Sequence, residues 1–103
     1  MEDVSYQEKF WQVISLIPPG SVATYGQVAE LAGMPRMARA VGRTLSQLPR
    51  DTSLPWFRVI NAKGEISFPK DSPAYKRQKS LLEADGIVFF NGKVSLKRYK
   101  WQP

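Results

Sequence analysis

Apolar residues recur at Phe10, Val13, Ile14 and Ile17, a spacing that gathers four side chains on one face of a helix. The helix this predicts over Ser5–Ile17 ends at Pro18-Pro19-Gly20, where proline removes a donor and glycine opens a turn. Thr24 predicts the N-cap of a short second helix, Tyr25–Leu31, closed by Gly33. A third helix is predicted from about Arg36 to Leu48, stopped by Pro49. Two short helices joined by a turn of three or four residues containing glycine have the form of a helix-turn-helix.

The third helix divides its faces sharply. Ala38, Val41, Leu45 and Leu48 fall within an arc of about 80°, a face built for burial. Arg36, Arg39 and Arg43 fall within about 60° on the other side, with the small residues Ala40 and Gly42 beside them. A solvated helix more often mixes lysines with glutamates, yet no acidic residue lies between Gly33 and Arg50. Such a face suits phosphates in a groove.

Downstream, Leu54–Ile60 runs into a strand, Asn61-Ala62-Lys63-Gly64 has the composition of a turn, and Glu65–Phe68 predicts a short return strand. Ser72 and Pro73 open a helix as N-cap and first residue; it passes through Leu81 and Leu82 to Gly86. Ile87–Leu96 reads as two strands about Asn91-Gly92, a strong hairpin signal. The tail Lys97-Arg98-Tyr99-Lys100-Trp101 either extends that hairpin or covers the core with Trp101. The fold class expected is α/β, mostly helical, in a single domain spanning 1–103: a winged helix-turn-helix with short strands and a C-terminal hairpin.

Charge sharpens the picture. The net charge is +6, and residues 36–103 hold fourteen basic residues against five acidic. That asymmetry points to a polyanionic partner. The chain has no cysteine and no histidine, which removes thiolate chemistry, zinc sites with those ligands, and imidazole as a base. The carboxylates Asp51, Glu65, Asp71, Glu83 and Asp85 are scattered rather than paired. No long uncharged apolar run is present, and Met1-Glu2-Asp3 lacks the basic and apolar regions of a signal peptide, so a soluble intracellular protein is expected.

One family shares the order of these pieces. Ile17-Pro18-Pro19-Gly20, Thr24-Tyr25-Gly26, Ala29, Gly33-Met34-Pro35, Arg39-Ala40-Val41-Gly42 and Pro55-Trp56-Phe57-Arg58-Val59-Ile60 stand at matching separations. From about Phe10 to Gly86 the chain resembles the C-terminal DNA-binding domain of the O6-alkylguanine-DNA alkyltransferases, whose pattern is Tyr-Gly, then Arg-Ala-Val-Gly, then Pro-Cys-His-Arg-Val. In that pattern the Cys takes the alkyl group, and the His, held by a Glu, helps to ionise it. Here Trp56 stands for the Cys, Phe57 for the His, and Asp85 for the Glu before a glycine. An indole does not accept an alkyl group by this route and a phenyl ring takes no proton. The chain therefore resembles the alkyltransferase-like proteins, which bind O6-alkylguanine without repairing it and pass it to nucleotide excision repair.

The resemblance implies a role at each matching position. Tyr25 would crowd the phosphate beside the lesion and help to rotate the nucleotide out. Arg39 would fill the gap left in the stack, and Arg36, Ala40 and Arg43 would complete the DNA-binding face, small residues keeping the helix slim for the minor groove. Trp56, Phe57 and Lys70 are the candidate lesion-pocket residues, Trp56 either bounding the pocket or plugging it, and Phe57 either packing or making contact. Arg58 and Asn61 would support the turn, and Asp85 is either a remnant of the helix cap or a functional acid. The implied partner is double-stranded DNA containing O6-alkylguanine, with nucleotide excision repair proteins beyond it, and no cofactor or metal is called for. The protein would act as a monomer in the cytoplasm, on the nucleoid if bacterial. Two other readings stay open: a sequence-specific winged-helix regulator, for which Gln47 is the main base-reading side chain, and a residual enzyme using Tyr or a carboxylate.

Overall fold

The computed structural model describes residues 5–103, so the acidic start Met1–Asp3 lies outside it. Helix α1, Tyr6–Ser15, is capped by Ser5, whose hydroxyl accepts from the amide of Glu8 at 3.2 Å. The pair Phe10 and Ile14 is buried from it, as the apolar spacing requires. Thr24 caps α2, Tyr25–Leu31, by accepting from the amide of Gln27 at 3.0 Å, and Gly33 leaves it with φ of +82°. Helix α3 runs over Ala38–Ser46, α4 over Pro73–Ala84 with Ser72 as its N-cap, and α5 over Leu96–Tyr99. No helix among the described residues is long and apolar enough to cross a membrane.

Two strands organise the interior. β1, Ala23–Thr24, pairs in parallel with β2, Val59–Ile60, aligning Ala23 with Val59 and Thr24 with Ile60. Because successive strand residues face opposite ways, this ribbon partitions the core. Ala23 and Val59 join Phe10, Ile14, Val28, Ala29, Ala40 and Val41 among the first three helices. Val22 and Ile60 join Ile66, Leu82, Ile87 and Val94 on the other side. Sequence reading predicted neither the pairing nor this division, since the partners lie 36 positions apart.

The predicted return strand Glu65–Phe68 is absent. Asn61 makes a tight turn instead: its Oδ1 accepts from the amides of Lys63 and Glu65, both at 2.9 Å. β2 finds its partner in β1, leaving Ser67 and Phe68 in an irregular loop. The hairpin forms as β3, Phe89–Phe90, and β4, Lys93–Val94, around Asn91 and Gly92, both with positive φ. The tail turns into α5 rather than extending the hairpin. It then returns to β1, where the Trp101 amide donates to the Val22 carbonyl at 2.7 Å and Trp101 packs on the first core.

Candidate nucleic-acid interface

Helix α3 starts later than its sequence suggested, and it is rolled. Arg36 sits in the preceding turn, and Met37 takes the N-cap position without a side-chain bond. Ala40, Val41 and Thr44 are the buried residues, so the buried face is displaced by about one-fifth of a turn from the predicted one. Ala40, expected beside DNA, is only 3% exposed and packs in the first core. Ala38, expected in the core, borders a cavity instead, and Leu45 both packs on the first core and borders that cavity. Arg36, Arg39 and Arg43 remain exposed, and among the described residues none of them is in an ion pair.

The cavity has a volume of about 500 Å³, within the range of ordinary small-molecule sites. One wall is α3, through Ala38, Arg39, Gly42, Leu45 and Ser46; Tyr25 closes it at the start of α2. Gly42 faces the Tyr25 ring, which lies 4.0 Å from where a Cβ would stand. Trp56, Val59, Ser67, Phe68 and Gln78 form the opposite side. Arg39 is thus both exposed on the helix and on the border of the cavity.

Trp56 begins a 3-10 turn, Trp56–Arg58, that carries the chain into β2. Its indole lies edge-to-face with Phe57, with centroids 6.0 Å apart, and with Phe68 at 6.5 Å. The Arg77 guanidinium stands 5.7 Å from the indole centroid. Trp56 therefore bounds the cavity as a wall. Phe57 does not: its ring packs on the second core and under the guanidinium of Arg58, 5.0 Å away. Lys70 is exposed in the turn closed by the Ser72 amide donating to the Pro69 carbonyl at 3.0 Å, and it does not line the cavity. Phe68, 41% exposed, takes the position expected of Lys70.

Arg58 locks the turn from below. Its Nε and Nη2 donate to the two oxygens of Asp85 at 2.6 and 3.0 Å, and Nη1 donates to the Ile17 carbonyl at 2.9 Å. This fork ties the Trp56 turn to the end of α4 and the end of α1. Asp85 is consumed as a structural partner. Gln78 and Phe68 escaped sequence reading, although Gln78, four residues before Leu82, falls on the same buried helix face. A polar residue in an apolar stripe was the available signal; Phe68 had none beyond its neighbours.

Comparison with known proteins decides the family. The model of the 6-O-methylguanine DNA methyltransferase DNA-binding domain matches residues 5–87. The chain belongs to that family. Within it, the chain is 46% identical over 98 residues to the DNA base-flipping protein of Escherichia coli K12, covering 94% of this chain and 74% of that one. It is 50% identical over 96 residues to the DNA base-flipping protein of Vibrio parahaemolyticus, covering 92% and 94%. Among solved structures, it matches Atl1 of S. pombe in complex with damaged DNA containing O6-carboxymethylguanine, with a TM-score of 0.90, 37% identity and full coverage of both chains. The mostly helical fold with short strands is the one this DNA-binding family shares.

Proposed function

We propose that this member of the family senses O6-alkylguanine in duplex DNA by turning the damaged nucleotide into the cavity, and transfers no alkyl group. The observation that carries this is the position of the cavity: it opens beside Arg39 and Tyr25, and Trp56 lines it. Flipping costs a few kcal/mol, less when the base is already mispaired, so weakened pairing itself favours the lesion. Arg39 fills the stack that the base vacates, recovering part of that cost. The Trp56 face supports stacking on the extruded purine. Arg36 and Arg43 hold the backbone, and Lys70 is assigned to a phosphate rather than to the base.

Trp56 and Phe57 offer neither a thiolate nor a base, so a bound lesion stays intact. The bound protein would shield the lesion from an alkyltransferase and mark it for nucleotide excision repair. The test is binding to matched duplexes with and without one O6-methylguanine. The lesion duplex is expected to bind more tightly by roughly 1–3 kcal/mol. Equal affinities, or labelled methyl recovered on the protein, would sink the reading.

A further inference from the structure

The β3–β4 hairpin carries the most exposed large apolar side chain among the described residues. Phe90 is 78% exposed, and Val88, two residues before it, is 64% exposed. The register explains this: Phe89 pairs with Val94, and both turn inward to the second core. Phe90 pairs with Lys93, and strand alternation sends both outward. Cations border the pair. The Lys79 ammonium stands 5.4 Å from the Phe89 ring centroid. The Tyr99 hydroxyl accepts from the Val88 amide at 3.3 Å, which seats α5, with Lys97 and Arg98, beside the hairpin. No acidic residue occurs from Ile87 to Pro103. Glu83, one turn beyond Lys79, is the only carboxylate within α4. Among the described residues the one ion pair is Arg58 with Asp85, so these cations are unpaired.

This surface lies away from the cavity, and none of its residues lines it. On α4, Arg77 stands over the Trp56 ring and Lys79 over the Phe89 ring, about 200° apart round the helix. The hairpin and the Trp56 wall therefore sit on opposite flanks of α4. Phosphates there would answer the cations and leave Phe90 and Val88 bare. Exposed apolar side chains rimmed by charge suit a protein contact, in which an acidic segment supplies both kinds of partner. We infer that the hairpin and α5 dock an acidic segment of a partner protein, an apolar side chain packing on Phe90 and Val88 and carboxylates facing Lys93, Lys97 and Arg98. The inference goes beyond the lesion-binding reading and leaves the DNA face free, so both surfaces can be engaged at once.

The probe is a short synthetic peptide of glutamates and aspartates around one phenylalanine and one leucine, titrated into the full chain and followed by amide NMR shifts. Saturable shifts are expected at the hairpin and α5, unchanged when a saturating duplex is present. Replacing the peptide's phenylalanine and leucine by serine should weaken binding about fivefold or more, as should Phe90→Ser or Lys93→Glu in the protein. Both positions are exposed, so each variant should keep the remaining amide spectrum and bind duplex DNA within about twofold of the unaltered chain. Three results would overturn the inference. The peptide shows no saturable shifts, or duplex displaces it because it sits on the arginines of α3. Alternatively, Lys93→Glu lowers the salt slope of duplex binding by about one, which makes the hairpin a nucleic-acid contact.

Discussion

On the proposed reading, Arg39 serves the stack and Trp56 the cavity. Arg39→Ala is expected to weaken binding of the lesion duplex by about 1–3 kcal/mol, read by titration, because nothing then fills the vacated stack. Trp56→Ala should erode the preference for the lesion by about 1–3 kcal/mol, one stacked base, with affinity for undamaged DNA held. Gly64 shows how hard a single position can be constrained. With φ of +79°, a Cβ there would stand 2.3 Å from the Val94 carbonyl oxygen, and the Val94 amide donates back to the Gly64 carbonyl at 2.8 Å. Gly64→Ala is expected to lower stability by about 2–4 kcal/mol, measured by urea unfolding.

Between elements, the decisive contact is the fork from Arg58 to Asp85. Both side chains are mostly buried, at 13% and 12% exposure, and together they fix the turn that presents Trp56. Asp85→Ala leaves a guanidinium without its carboxylate, and about 2–4 kcal/mol of stability should go, less than for a wholly buried pair. Thermal unfolding would report the loss, and lesion preference should fall with it as the indole loses its support. The roll of α3 belongs to this scale too. Its arginine face was legible because three guanidiniums without acidic neighbours stand out in any register. Its apolar face was not, because Ala38, Ala40, Val41 and Leu45 cover nearly half a turn, and only the neighbouring elements choose among them. The first core made that choice, taking Ala40 and Val41 in among Phe10, Ile14, Val28 and Ala29.

For the whole molecule, the excess of basic residues after position 35 should appear as salt dependence. Affinity is expected to fall with salt, each phosphate contact adding about 0.9 to the log–log slope. Arg36→Ala and Arg43→Ala should each reduce the slope by about one, whereas Arg39→Ala, acting in the stack, should leave it nearly unchanged. Two helix starts and the hairpin were written locally: Thr24 and Ser72 cap as expected, and Asn91-Gly92 turns as expected. The absence of cysteine and histidine, with an indole at 56 and a phenyl ring at 57, was equally plain. What could not be read was distance across the chain. Parallel pairing of β1 with β2, the seat of Phe57 in the second core, the capture of Asp85 by Arg58, and the entry of Gln78 into the cavity wall all join positions far apart in sequence. The sequence alone determined where the capped helices start, where the hairpin turns and which side-chain types the chain lacks, because caps, turns and side-chain identity act within a few residues. Only the tertiary structure decided which side chains face the cavity, because burial is settled by what packs opposite.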